Sequence, residues 1–332
     1  MRKFPILILT ALLLGAYALF LVYWFTPSPA QPDSPVISET AGTTATGDTE
    51  DQPPPEISTT ESVPLETVMS PDYALTAKLA FVYDCASEQL VFTLGSQTQS
   101  ISPASLTKLL TVYVALQYLE PDTPVTAGEE CTWIDPESSI AHVKPGNRLT
   151  VEMLVEGMLL QSGNDAAYTL AAAAGRAIRQ DPALKPRAAI DAFMEQINVQ
   201  AKALGLENTY FVTPDGLDAN GHRTTCADML KLCLTVMEQP LIRHYAGISQ
   251  AQVKFESGQT HTWRNTNFLL HPTSKYYCPE ACGLKTGSTG KAGNCLLASF
   301  YTGERYLIVG VFGCPSYEAR FADALFLYES YR

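Results

Sequence analysis

An uncharged, almost wholly apolar run from Phe4 to Phe25 opens the chain, directly behind Arg2 and Lys3. As a helix it would be roughly 33 Å long, enough to cross a bilayer. The basic pair precedes it, which puts the N-terminus in the cytoplasm and everything after the run outside. Two readings stand for this membrane helix: an uncleaved signal anchor or a cleaved signal peptide. The long apolar core, the interfacial pair Tyr23-Trp24 and the prolines around Ser28-Pro29-Ala30 favour the anchor. The next segment, 27–70, is rich in Pro, Ser, Thr, Asp and Glu and has no Lys or Arg. Such a composition cannot bury enough apolar surface to order itself, so it reads as an acidic tether. The chain therefore divides into an N-terminal segment 1–26, a linker 27–70 and a globular part 71–332.

In the globular part the spacing changes character twice. Lys78–Tyr83 and Gln89–Leu94 read as two strands, with a turn over Asp84–Glu88. An apolar run from Leu109 to Leu119 predicts a helix, with Ser102 as its N-cap and Pro103 in its first position. Pro121–Thr150 is irregular. Thr150 then caps a helix to Leu160, and further helices are predicted over Asn164–Ala177, Pro186–Leu204 and, from a capping box at Thr225–Asp228, to Met237. The Ala171–Ala174 run in the second of these implies close packing. After His271 strands return, over Gly283–Ser288, Asn294–Tyr301 and Arg305–Phe312, followed by a helix from Tyr317 to Tyr331. This order predicts an antiparallel sheet whose first strands pair with its last, a helical lobe inserted between them, and a cleft between sheet and lobe.

Composition fits a chain with a core: 46% of the 332 residues are apolar and 17% charged. The net charge of −12, with no basic cluster, argues against a nucleic-acid partner.

Chemistry enters at Ser105 and Lys108. At this spacing on a helix the amine reaches the hydroxyl, and a serine beside an amine base is one way to make a nucleophile. The same spacing also arises by chance, as in Ser288-Thr289-Gly290-Lys291, and Ser105 taken alone is equally an ordinary polar residue at a helix start. Two further motifs fall at informative places. Ser162-Gly163-Asn164 sits in the break between two helices, where it would otherwise be only a helix cap. Lys285-Thr286-Gly287 lies in a strand, with Thr286 on one side, Lys285 and Gly287 on the other, and glycine leaving room for a substrate backbone.

The ordered set S-x-x-K, S-x-N, K-T-G resembles the penicillin-recognising serine enzymes, and specifically the D-alanyl-D-alanine carboxypeptidases among low-molecular-mass penicillin-binding proteins. The resemblance covers roughly 70–332 and extends to Lys144-Pro145-Gly146, Leu160–Ala167, Leu206–Thr209, Pro214–Leu217 and Gly283–Gly287. It implies the α+β fold of the β-lactamase/transpeptidase type: an antiparallel five-stranded sheet flanked by helices, with an all-helical lobe. It also implies a reaction. Ser105 attacks the bond between two D-alanines of a peptidoglycan stem peptide. Lys108 acts as base, its pKa lowered by burial and by the charge of Lys285, and Ser162 relays the proton. Asn164 holds the substrate or Lys108, and the backbone N–H groups of Ser105 and Ser288 hold the oxyanion. Lys285, Thr286, Gly287 and Arg320 bind the substrate, with Arg320 on its terminal carboxylate; the alternative for Arg320 is a surface helix residue. Ser288, after K-T-G, is a departure that would bear on substrate preference or β-lactam turnover.

The implied partners are peptidoglycan stem peptides, β-lactams as inhibitors and the membrane; no metal and no cofactor is called for. The implied location is the extracytoplasmic face of a bacterial membrane, or secretion if the N-terminal segment is cleaved. Relatives often carry a further β-rich domain and a C-terminal anchor, so the chain's stop at Arg332 shifts anchoring to the N-terminus. A β-lactamase and a catalytically silent wall-binding protein are the alternatives. The first lacks its E-x-x-L-N segment here, and the second is opposed by the intact Ser105, Lys108, Ser162 and Lys285. Of the 8 cysteines, Cys278 and Cys282 are close enough to form a small bridge, Cys226 and Cys233 are too far apart on one helix, and Cys295 reads as a core thiol. The spacing of His222, Cys226, Cys278 and Cys282 fits no standard zinc site.

Overall fold

A computed structural model describes residues 73–332. The apolar N-terminal run, the acidic linker and the first residues of the globular part lie outside the described residues. Among the described residues no helix is long and apolar enough to cross a membrane.

The chain enters as a hairpin, β1 (Leu79–Asp84) and β2 (Gln89–Leu94). A 3-10 turn at Ala104–Leu106 leads into α1 (Thr107–Ala115). There follow β3 (Pro124–Thr126), β4 (Arg148–Thr150), α2 (Val151–Leu159), α3 (Asn164–Arg179), α4 (Pro186–Ala203) and α5 (Cys226–Val236). Next come α6 (Pro240–Gly247), β5 (Gln250–Lys254), β6 (Thr260–Arg264), β7 (Ala281–Thr289), β8 (Gly293–Tyr301), β9 (Tyr306–Cys314) and α7 (Ala319–Tyr331). The main sheet has the order β2-β1-β9-β8-β7, every neighbouring pair antiparallel. As expected, the first strands close on the last: Leu79 pairs with Phe312 and Asp84 with Leu307.

The inner strands β1, β9 and β8 are buried on both faces, which is why they read as apolar runs rather than alternations, while the edge strand β2 stays half exposed. Leu79, Phe81, Leu297, Ile308 and Phe312 face the core shared with α1 and the helical lobe. Ala80, Val82, Phe300, Val309 and Val311 face α7 through Phe321, Leu325 and Tyr328, and the rings of Phe300 and Tyr328 stack at 4.1 Å. Asp323 of α7 accepts hydrogen bonds from the N–H groups of Thr76 and Ala77 and from the Tyr73 hydroxyl, so the entry of the domain is tied to its last helix. In the lobe, α3 and α4 approach where a Cβ on Gly175 would lie 1.8 Å from the Ala189 carbonyl oxygen. The neighbouring Ala171, Ala172 and Ala174 are fully buried, as the alanine run implied.

Three local expectations change. Ser102 does not cap a helix: its hydroxyl donates to the Asp218 carboxylate at 2.5 Å, a charged acceptor stronger than a backbone cap. The helix therefore begins later, behind Pro103 and a left-handed Ala104 (φ +51). The capping box at Thr225 is half made. Thr225 accepts from Asp228 N–H, but the Asp228 carboxylate turns to Asn208 N–H and the Thr209 hydroxyl. The segment between α5 and β7, for which no element was expected, holds α6 and the β5–β6 hairpin. That hairpin buries only Val253 and Trp263 from its two strands, too little apolar alternation to signal strands.

Candidate active site

The turn and helix that carry Ser105 and Lys108 are held on three sides. A Cβ on Gly216 would lie 1.9 Å from the Ala104 carbonyl oxygen, so the loop 214–218 packs backbone to backbone against the turn. Asp218 accepts from Ser102 and Thr289 hydroxyls and from Lys291 N–H, joining the turn to the end of β7. Burial would push its carboxyl up, but these donors outweigh it and hold the pKa low. Thr107 bonds to buried His222 at 2.9 Å; His222 Nδ1 accepts from Val212 N–H, so Nε2 carries the proton and donates. The third side is β7. A Cβ on Gly287 would lie 3.1–3.3 Å from Ala104 Cβ, Ser105 N and Leu106 Cγ. The absence of a side chain at this glycine lets the Ser105 turn pack closely on β7.

Lys108 is fully buried and spends all three of its donor hydrogens. Its Nζ lies 2.9 Å from Ser105 Oγ, 2.7 Å from Asn164 Oδ1 and 2.7 Å from the Asp215 carbonyl oxygen. Burial pushes its pKa down to about 8, against the opposing charges of Asp215 and Asp165. Lys285 lies close enough to Lys108 for their charges to repel each other. Burial first, then the charges of Lys108 and Arg320, hold it well below the usual lysine range. Its Nζ donates to the Thr286 carbonyl at 3.1 Å.

Asn164 opens α3 and also donates through Nδ2 to Ser138 Oγ at 2.8 Å. Gly163 is needed there, because a Cβ would lie 2.7–2.8 Å from Ala141 and the Asp165 carboxylate. Asp165 holds the same loop by accepting from Ala141 and Val143 N–H. Ser162 is nearly buried and left-handed (φ +60), a strain that clusters at functional sites. Among the described residues it makes no hydrogen bond to Ser105 or Lys108.

Beyond Gly287 the site becomes cationic. Arg320, in the first turn of α7, is 1% exposed, so it is no surface residue. Its Nη1 donates to Ser288 Oγ at 3.0 Å, and Ser288 in turn donates to Asn294 Oδ1. Thr286 Oγ1 lies 2.6 Å from Thr266 Oγ1. None of Lys108, Lys285 and Arg320 forms a salt bridge among the described residues. Burying a cation without a counter-ion is costly. The arrangement sets a serine hydroxyl beside a buried amine of lowered pKa, with Lys285 and Arg320 buried nearby.

Sequence reasoning missed Asp215, Asp218, Ser138, Thr266 and Tyr317. The two aspartates lie in a turn-rich segment that signals a loop, but Asp215 serves Lys108 through its backbone carbonyl, which no side-chain motif announces. The cysteines are all free. The Cys278–Cys282 bridge that the spacing allows is not formed: a turn intervenes, and the thiols point to the Glu280 carboxylate and carbonyl at 3.4 Å each. Cys295 is a core thiol on β8.

The sequence profile of the D-alanyl-D-alanine carboxypeptidases matches residues 65–316. The chain is 32% identical to D-alanyl-D-alanine carboxypeptidase DacD of Escherichia coli K12 over 249 residues, covering 70% of this chain and 58% of that protein. It is 35% identical to DacA of the same organism over 238 residues, covering 67% and 52%. It thus spans little more than half the length of these relatives. Against the D-alanyl-D-alanine carboxypeptidase of Streptomyces sp. strain K15 it is 31% identical, covering 70% and 79%. Among solved structures, the Streptomyces K15 DD-transpeptidase superposes with a TM-score of 0.69 at 27% identity, covering 77% of this chain and 97% of that one. Penicillin-binding protein D2 of Listeria monocytogenes, in an ampicillin-bound form, gives 0.62 at 26%, covering 78% and 98%.

Proposed function

This chain belongs to the D-alanyl-D-alanine carboxypeptidase family, and we propose that it removes the terminal D-alanine of peptidoglycan stem peptides through an acyl-enzyme on Ser105. The observation that carries the proposal is the fully buried Lys108 amine 2.9 Å from Ser105 Oγ. With a pKa of about 8, on the order of a tenth of the molecules hold this amine neutral at pH 7. The neutral amine has a lone pair to accept the Ser105 proton as Oγ attacks the carbonyl between the two D-alanines. Asn164 and the Asp215 carbonyl fix the amine in place meanwhile. Ser162 passes the proton on to the leaving amino group. Backbone N–H groups of Ser105 and of Ser288, on the edge strand β7, receive the oxyanion. The terminal carboxylate goes to Lys285, Thr286 and Arg320, and water then hydrolyses the acyl-enzyme. β-Lactams would acylate Ser105 by the same attack.

The location rests on the sequence. The apolar run behind Arg2 and Lys3, read as an anchor, and the acidic segment 27–70, read as a tether, would hold the domain 71–332 outside the membrane, facing the cell wall. Incubation with a fluorescent penicillin and with a D-Ala-D-Ala pentapeptide tests the activity. Stable labelling and D-alanine release, both lost in Ser105→Ala, are expected. Absence of both in the parent protein overturns the proposal, and rapid loss of label without D-alanine release points to a β-lactamase instead.

A further inference from the structure

We infer that Tyr317 is a positioning residue that aims Arg320 at the terminal carboxylate of the substrate and couples it to Thr286. The inference rests on the proposed function above, which places both groups on that carboxylate. Arg320 is buried without an acidic partner among the described residues. Its Nε finds no hydrogen bond, and Nη1 donates to Ser288 Oγ at 3.0 Å and to the Gly287 carbonyl at 3.4 Å. What holds the group is aromatic. The guanidinium carbon lies 3.9 Å from the centre of the Tyr317 ring and 4.9 Å from that of Phe321. Phe268 closes the box, edge-on to Tyr317 at 5.3 Å and stacked on Phe321 at 5.4 Å.

A ring suits this task better than an acid. A carboxylate would fill the in-plane N–H donors and compete with the substrate for them. A ring face attracts the cation from above and leaves those donors to a ligand. Tyr317 does a second thing. Its hydroxyl donates to the Thr266 carbonyl at 3.1 Å. Thr266 is anchored by its own N–H on Leu160 O at 3.0 Å, and its hydroxyl meets Thr286 at 2.6 Å. One side chain therefore sets both the guanidinium and, through Thr266, the Thr286 hydroxyl.

The test compares Tyr317→Leu and Tyr317→Phe in the full chain on two peptides, one ending in D-Ala-D-Ala as the free acid and one as its carboxamide, with release of the terminal residue read by mass spectrometry. Tyr317→Leu is expected to lower kcat/KM on the acid by about tenfold, chiefly through KM, and on the amide by no more than about twofold. Tyr317→Phe keeps the ring but loses the hydroxyl bond to Thr266, so it is expected to lower the acid preference by about threefold, between the parent protein and Tyr317→Leu. If Tyr317→Leu does not fold, as judged by its thermal transition, Tyr317→Met takes its place with the same expectation. An equal fall on both peptides, or a preference unchanged by Tyr317→Leu, overturns the inference and leaves the proposed function standing. A parent protein with no acid preference overturns the carboxylate site along with it; a parent protein with neither release nor acylation at Ser105 overturns the function itself.

Discussion

Asn164 Oδ1 accepts a hydrogen bond from Lys108 Nζ at 2.7 Å, so the first residue of α3 fixes the position of an amine on α1. Replacing this neutral acceptor by a charged one isolates the effect. In Asn164→Asp the new carboxylate favours the ammonium form and raises the Lys108 pKa by about one unit or more. The expected outcome is that acylation by a fluorescent penicillin, followed against pH, rises about one pH unit or more later than in the parent protein. An unshifted profile rules out Lys108 as the group that titrates.

The same amine marks the stability curve. Its folded pKa of about 8 lies below the ordinary value of 10.5. Below pH 8 both states hold the proton and burial of the charge costs its full amount. Between pH 8 and 10.5 the unfolded state binds more protons than the folded one, so stability rises with pH. The parent protein should therefore gain about 3 kcal/mol relative to Lys108→Met across that window. Urea unfolding of both proteins at pH 7.5 and pH 10 measures the difference, and a constant gap would mean that Lys108 is not buried in its charged form.

Gly287→Ala tests the contact of β7 with the nucleophile turn. The added methyl meets Ser105 N at 3.2 Å in a turn already bent at Ala104. A cost of about 1–3 kcal/mol in stability is expected, with a fall in acylation rate of about tenfold or more as Ser105 is displaced. Stopped-flow labelling beside a thermal melt separates the two. A normal labelling rate would show that the turn yields freely.

Arg320→Ala should lower kcat/KM for D-Ala-D-Ala cleavage by about a hundredfold, since the charge-assisted contact proposed for the substrate carboxylate would be lost. Arg320→Lys should not restore it, because an ammonium lacks the planar fork and stacks poorly on Tyr317. Steady-state assays of both variants decide this; near-parent turnover in Arg320→Ala removes the residue from the carboxylate site.

Much of this was legible in the residues. Thr150 and Thr225 announce α2 and α5 because a hydroxyl before an apolar helix has one good use, and each accepts its expected N–H. The pairing of β1 with β9 followed from the order of strands and helices alone. Ser102 misled because a local capping preference of about 1 kcal/mol yields to a charged partner, Asp218, over a hundred residues away. The same limit hid the site's support. Asp215 acts through a carbonyl, Tyr317 through a ring face, and Gly287 through a methyl it does not have. Such contacts depend on which surfaces meet, and a linear pattern does not carry them. Lys108 and Lys285 were visible as chemistry, but that both amines are fully buried depends on how the helix and the strand pack.

The partnership of β1 with β9 also governs the order in which the molecule can come into being. On a ribosome, Leu79 emerges more than two hundred residues ahead of Phe312, its neighbour in the sheet. Until β9 arrives, β1 and β2 are an isolated ribbon, and such a hairpin is marginal by itself in water. The helices of the lobe, whose contacts are local, can assemble during that wait, whereas the sheet waits for the end of translation. A chain stopped short of β9 would thus hold the serine and both lysines and still present no seam on which to align them.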